Sequence, residues 1–267
     1  MNESAPHRPV ALVRDVPDSF ASCVTVRPAI PPLDPVRARG QHAGYVAALE
    51  QGGFSVIRIP AAEEHPDCAF VEDAAVVLGG RALLTNPGHP TRRGEIAGVR
   101  AALVPLLAVE SLGEGTLDGG DVLQAGGRVF VGLSRRTDAA GVAALTRFCA
   151  PVKVIPVPVR ETLHLKSGVS AVDAETVLWH SAACDRRDLV GLRVVAVTGD
   201  DPEAANVVRL PDGSVLVASR HPATAELVAS LGHRVRTVDV SEFARADGGL
   251  TCLSVRHRPA SAVSSSS

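Results

Sequence analysis

The chain has 267 residues, of which 46% are hydrophobic and 21% charged, enough apolar material for a substantial core in one or two domains. A formal net charge of −2, with basic residues scattered rather than gathered into a stripe, gives no electrostatic draw to nucleic acid or to an anionic membrane and points to a small-molecule partner. No charged stretch leads into an apolar segment at the start, and no apolar run approaches the ~20 residues of a membrane span, so the chain reads as cytoplasmic.

Aromatic residues make up only 3%, so Val, Leu and Ala must fill the interior, and many short Val-rich runs favour strands in an α/β or α+β class. Residues 1–20 carry Pro, Asp and Ser without periodicity and are expected to fray. A strand over 23–27, a helix over 40–51 and a strand over 55–59 follow. Asp67-Cys68-Ala69-Phe70-Val71-Glu72-Asp73 then gathers three carboxylates ahead of a strand over 74–78. An acidic cluster is most often a solvated turn, but two carboxylates can also grip the planar donor fork of a guanidinium.

A strand over 82–85 and a helix over 93–107 lead to Leu117-Asp118-Gly119-Gly120-Asp121-Val122. Asp-Gly-Gly usually means a turn, yet paired glycines also let backbone approach a ligand closely. Strands over 122–123, 129–133 and 152–157 enclose a helix over 138–148. Next comes Leu163-His164-Leu165-Lys166-Ser167, whose His between leucines is either a satisfied core residue or a buried proton carrier held in one orientation.

Strands over 176–179, 206–210, 215–218 and 234–239 and a helix over 223–230 complete the pattern, with Pro211-Asp212-Gly213 as a tight turn. Asp247-Gly248-Gly249-Leu250-Thr251-Cys252 sets a Cys behind a diglycine, either a core thiol or an accessible nucleophile. The tail over 259–267 ends in a serine run and is expected to be disordered.

Cys23, Cys68, Cys149, Cys184 and Cys252 form no C-x-x-C pair and fit reduced thiols. The nine histidines show no ligand spacing, so neither a metal nor another cofactor is expected. Two strands, a helix and a strand recur about five times at periods of about 50 residues. That repeat suggests one closed radial array over 21–258, undivided by any linker.

Taken together, Phe70-Val71-Glu72-Asp73, Leu117-Asp118-Gly119-Gly120-Asp121, Leu163-His164-Leu165-Lys166-Ser167, Val131-Gly132-Leu133-Ser134-Arg135-Arg136-Thr137 and Asp247-Gly248-Gly249-Leu250-Thr251-Cys252 resemble the dimethylarginine dimethylaminohydrolases in order and spacing, over nearly the whole chain. The resemblance implies the five-bladed α/β propeller of the pentein superfamily, built from pseudo-symmetric ββαβ units. It further implies that Cys252 is the nucleophile, His164 the general acid/base and Asp118 its acidic partner. Asp67, Glu72 and Asp73 would line the substrate pocket, Arg92 and Arg136 would grip the amino-acid end of the substrate, and Asp247 with the backbone of Ala246 would complete the pocket. The segment 28–39, where the family carries a lid, is short and proline-rich here.

The activity implied is metal-independent hydrolysis of asymmetric dimethylarginine or monomethylarginine to citrulline and an amine through a thiouronium on Cys252, by a monomer or homodimer. The alternatives are an arginine deiminase acting on unmethylated arginine, a non-catalytic binder of arginine derivatives, and a cysteine peptidase. Deiminases resemble His-Leu-Asp where this chain has His164-Leu165-Lys166, and an acidic pocket suits a cation better than a peptide carbonyl.

Overall fold

A computed structural model describes residues 8–26 and 28–258. Expectations for 1–7, for position 27 and for the tail over 259–267 lie outside the described residues.

The chain opens on β1 (Val10–Arg14), whose five residues are all buried. Residues 10–20 are therefore not frayed: the Val-Ala-Leu-Val run is a core strand, its apolar side chains covered on both faces. No strand follows at 23–26, where the chain instead runs as a loop. The helix expected at 40–51 begins earlier, as α1 (Pro35–Gln51), so the second part of the expected lid segment is helical. Asp34 caps it by accepting from the N–H groups of Val36 and Arg37, and Pro35 occupies the first turn, where no amide donor is needed. Ala38, His42, Tyr45, Val46 and Leu49 recur at helical spacing and face the core.

After β2 (Ser55–Ile59) the next unit holds β3 (Ala75–Leu78), β4 (Arg81–Leu84), α2 (Ile96–Leu103) and β5 (Ala108–Ser111). A third holds β6 (Val122–Ala125), β7 (Arg128–Leu133), α3 (Ala139–Cys149) and β8 (Val154–Pro158). A fourth holds β9 (Val169–Ala171), β10 (Thr176–Trp179) and β11 (Arg193–Ala196), and a fifth β12 (Val208–Arg209), β13 (Val215–Ala218), α4 (Pro222–Ser230) and β14 (Val235–Val238). The short α5 (Ser241–Ala244) leads toward β15 (Val255–His257).

Among the described residues, fifteen strands thus form five three-stranded sheets. In each, the middle strand is antiparallel to the inner strand and parallel to the outer one. The first sheet is ordered β15-β1-β2, so the last strand pairs with the first (Val10 opposite His257) and closes the array. This is the five-bladed α/β propeller expected. One unit departs from ββαβ: the crossover from β10 to β11 contains a 3-10 turn (Arg186–Asp188) in place of an α-helix.

Five apolar clusters fill the spaces between sheets and helices. Scarce aromatics are concentrated in one of them, where Phe20 and Phe243 pack edge-on at 5.4 Å and Phe70 lies 6.0 Å from Phe243. Each fully buried ring of this size contributes about 1.5–3 kcal/mol of transfer free energy.

Candidate active site

Every inner strand is preceded by a single 3-10 turn: Val71–Ala74 before β3, Gly119–Asp121 before β6, Leu165–Ser167 before β9, Pro202–Ala205 before β12 and Leu250–Leu253 before β15. The first four turns touch in that order, and the last touches the first. Asn206 closes the remaining gap, its Nδ2 donating to Thr251 Oγ1 at 3.1 Å while its Oδ1 accepts from the Thr251 N–H. The ring lies at one end of the propeller axis. It gathers residues that are far apart in sequence, and four of the five motifs contribute to it.

His164 precedes its turn in extended conformation, so its imidazole reaches across to two neighbouring turns. Nε2 lies 2.9 Å from Asp118 Oδ2, and Nδ1 lies 3.9 Å from Asp73 Oδ1. The side chains are almost wholly buried. Burial opposes charging the ring, but Asp73, the hydrogen bond to Asp118 and the charge of Asp121 outweigh it and raise His164 to about 9. At neutral pH the ring is an imidazolium held between two carboxylates. Glycine at position 120 is required for this approach: a Cβ there would lie 2.7 Å from both Asp73 Oδ1 and His164 Nδ1.

Asp73 accepts from Arg92 Nη1 at 2.5 Å and from the Gly120 N–H at 2.9 Å. Burial disfavours its charge, yet His164 and Arg92 hold the carboxyl down at about 2. Asp118 accepts from the Gly88 N–H at 2.8 Å, and Arg136 Nη1 lies 3.8 Å from its other oxygen. Glu72 Oε1 accepts from Lys166 Nζ at 2.6 Å and Arg256 Nη2 at 2.9 Å, while its buried Oε2 has no partner among the described residues.

Cys252 lies in the Leu250–Leu253 turn, and its Sγ accepts from the Gly249 N–H at 3.4 Å. It is the one cysteine with partial exposure, the other four being buried. Although the residue touches solvent, the packing around its sulfur, then the charges of Glu72 and Asp73, push the thiol up to about 12. At rest the Cys252 side chain is therefore a neutral thiol. A bound cation beside Glu72 and Asp73 would reverse the sign of that local field.

Two expected substrate residues also hold backbone. Asp67 accepts from the Val24 N–H at 3.2 Å, and Asp247 accepts from the Val26 N–H at 2.5 Å. Asp247 is the one described non-glycine residue in the left-handed region, with φ 57°. Ala246 spends its N–H on the Phe243 carbonyl, so only its carbonyl can face a ligand.

Arg92 corrects an expectation. Its fork does not face outward toward a carboxylate: Nε and Nη2 donate to Glu95 at 3.0 and 2.8 Å, Nη2 also to the Phe70 carbonyl, and Nη1 to Asp73. Buried and satisfied, Arg92 positions Asp73. Of the two arginines expected at the amino-acid end, Arg136 alone remains, at the edge of the cluster.

Sequence reasoning missed Glu95, Arg256 and Glu203. Glu203 occupies the fourth turn, Pro202–Ala205, and is pushed up to about 8 by burial, then by Asp201. Its place one turn before an inner strand, the place of His164 and Cys252 in their units, was the signal available.

Asp73, Asp118 and His164 bring their ligand atoms within 4.8 Å of one another, a geometry that could hold a metal ion. An imidazolium offers no lone pair, however, so at neutral pH a proton occupies that position.

Residues 95–201 match the family model for arginine deiminase. The chain is 41% identical over 252 residues to the N(G),N(G)-dimethylarginine dimethylaminohydrolase of Streptomyces coelicolor, covering 93% of this chain and 96% of that protein. Identity to the Pseudomonas aeruginosa protein of the same name is 30% over 230 residues, covering 84% and 89%. A solved structure of the Pseudomonas aeruginosa enzyme, a Cys-to-Ser mutant complexed with citrulline, superposes with a TM-score of 0.87 at 27% identity, covering 94% of this chain and 100% of that one.

Proposed function

Because the chain belongs to the dimethylarginine dimethylaminohydrolase family of the pentein superfamily, and is thus a hydrolase of C–N bonds in amidines, we propose that it converts asymmetric dimethylarginine and monomethylarginine to citrulline through a covalent adduct on Cys252. The observation that carries this reading is the buried imidazolium of His164, flanked by Asp73 and Asp118, in the same ring of turns as the neutral thiol of Cys252, which feels the charge of that same Asp73. That is the protonation state a leaving amine requires.

The guanidinium carbon is a poor electrophile because resonance spreads its charge, so reaction needs a strong nucleophile in a fixed geometry. Entry of the cationic substrate beside Glu72 and Asp73 lowers the Cys252 thiol, whose proton passes to solvent. The thiolate then bonds to the guanidinium carbon, giving a neutral tetrahedral adduct. His164 protonates the methylated nitrogen, the C–N bond breaks, and dimethylamine or methylamine leaves with a thiouronium behind. Neutral His164 takes a proton from water as the oxygen bonds to carbon. Collapse breaks the C–S bond, the hydroxyl proton returns to the sulfur, and citrulline departs with Cys252 and imidazolium restored.

Lys166 bears on the substrate. Its ammonium occupies Glu72 Oε1, leaving one free oxygen where an unneutralised carboxylate would offer two acceptors. A pocket with fewer acceptors suits a guanidinium that has lost donors to methylation. Arginine would bring donors that find no partner, at about 1–3 kcal/mol, a 5- to 150-fold loss. The reading implies a reducing cytoplasmic setting, in keeping with five free cysteines, and no described helix is long and apolar enough to cross a membrane. Specificity constants for arginine, monomethylarginine and asymmetric dimethylarginine, measured side by side, test the proposal. An arginine value equal to or above the dimethylarginine value overturns it in favour of a deiminase.

A further inference from the structure

Behind the ring of turns the propeller axis holds a second concavity. A cavity of about 310 Å³ is lined by residues of β3, β6, β9, β12 and β15, one inner strand from every unit. Its volume falls at the lower end of the range of about 300–1,000 Å³ typical of small-ligand sites. Glu72 and Lys166 form the wall nearest the active site.

The charges around it do not balance. Arg209, Arg256 and Arg258 line the cavity, and Arg258 Nη2 donates to the Arg209 carbonyl, which brings these residues together at the rim. Arg256 is engaged by Glu72 at 2.9 Å and by Ser254 Oγ at 3.0 Å. Neither Arg209 nor Arg258 has a carboxylate within ion-pair distance among the described residues. The two lining carboxylates already have charged partners: Glu72 is paired through Oε1 with Lys166 and Arg256, and Asp173 is held by the N–H groups of Glu175 and Thr176 and by His233 at 3.5 Å. Although Arg258 as a residue reaches solvent, the packing around its guanidinium and the charges of Arg209 and Arg256 push it down to about 10.

Gathering like charges around a concavity without counter-charge costs energy that a bound anion recovers, and a guanidinium fork matches an oxyanion by paired hydrogen bonds. We propose that this axial cavity is a binding site for a small oxyanion, a phosphate or carboxylate group, held by Arg209 and Arg258 at the rim with Arg256 at the inner end. The site shares Glu72 and Lys166 with the ring of turns as its inner wall but is held by arginines on the far side of it, and the inference does not depend on the substrate assigned to the ring.

Inorganic phosphate, titrated into the protein at constant ionic strength and followed by calorimetry, should bind saturably. Replacing both Arg209→Gln and Arg258→Gln should weaken that binding roughly tenfold or more, with the circular dichroism spectrum unchanged. Arg136→Gln, at the opposite end of the axis, should leave it intact. Citrate in a parallel series separates a carboxylate ligand from a phosphate one. Should the double variant fail to fold, Arg209→Gln alone carries the comparison. Absence of saturable binding by both anions overturns the proposal, as does equal binding by the arginine variants, which would mean an adventitious ion only. Loss of binding in Arg136→Gln instead would place the anion in the catalytic pocket and overturn it too.

Discussion

Asp73 and Asp185 are both carboxylates bonded to an arginine, and both are held below the usual carboxylate range, but they sit in opposite settings. Asp73 lies in the catalytic ring with Arg92, both side chains almost fully buried. Asp185 lies on the perimeter, in the crossover from β10 to β11, where hydrogen bonds from Arg187 depress it and the Arg187 side chain is 89% exposed. Water can replace Arg187 if it is removed, and nothing can replace Arg92. Similar titration behaviour therefore conceals very different consequences, and burial, not the presence of an ion pair, decides them.

The sharpest difference between the two regions should be chemical. Cys252→Ser keeps the volume of the side chain in the buried ring but substitutes a far weaker nucleophile, so turnover should fall on the order of 10⁴- to 10⁶-fold with thermal stability nearly unchanged. Single-turnover citrulline formation is the measurement. Activity within tenfold of the parent would remove Cys252 from the chemistry.

Next in size is Arg92→Met. It strips Asp73 and Glu95 of their shared cation while both stay buried, and should lower unfolding free energy by about 3–5 kcal/mol in urea titrations. If the variant lost substrate affinity alone, with stability intact, Arg92 would belong to the substrate rather than to Asp73.

The imidazolium gives the ring its own pH signature. His164 rises from an ordinary 6.5 to about 9 in the fold, so its contribution is fully present below 6.5 and is lost as pH rises through about 9. The loss should approach about 3 kcal/mol across that window, since each tenfold gain in proton affinity is worth about 1.4 kcal/mol. The perimeter pair behaves oppositely: a depressed carboxyl stabilises above its unfolded value and fails only in acid. Asp118→Asn should move the alkaline fall in stability, and the alkaline limb of turnover, toward lower pH. An unchanged profile would mean that Asp118 does not hold the proton on His164.

These settings were unequally legible in the sequence. The inner strands β3, β6 and β12, most middle strands and the longer helices announced themselves through Val-rich runs, caps and helical spacing, as Asp138 does for α3 by accepting from the Gly141 N–H, whereas the three-residue inner strand β9 was too short to register. The closing strand β1 was missed because four apolar residues and Arg14, between Pro9 and Asp15, carry no period, and its partner β15 is at the other end of the chain. The outer strands β5 and β11 were missed because as sheet edges they are short and largely exposed, β5 ending in Glu110 and Ser111 and β11 opening on Arg193. In the site, Asp73, Asp118, His164 and Cys252 were marked by diglycines and strand starts. Arg256 carried no such mark, since its contact with Glu72 spans 184 positions and depends on closure of the ring. The Arg92 assignment went astray because a sequence shows a guanidinium without showing that Glu95, three residues on, will occupy its fork.

The smallest expected effect is the most demanding test of the comparison. Arg187→Ala removes a side chain that bonds Asp185 by Nε at 3.1 Å and Nη2 at 2.8 Å, a better-looking pair than many buried ones. Asp185 keeps its other partners: it still accepts from the backbone N–H of residue 187 at 2.9 Å and from Arg160 at 3.1 Å, and water fills the vacated positions. The ordering of two long side chains at the surface also offsets much of the Coulomb attraction, which salt screens further. The denaturation midpoint at physiological salt should therefore not move measurably, and any small fall seen at low salt should vanish as salt is added. Asp185→Ala should cost more than Arg187→Ala, because it also removes the acceptor that caps the turn Arg186–Asp188. Should Arg187→Ala destabilise the protein as much as Arg92→Met, burial would not be what separates the two regions, and pairing geometry alone would govern both.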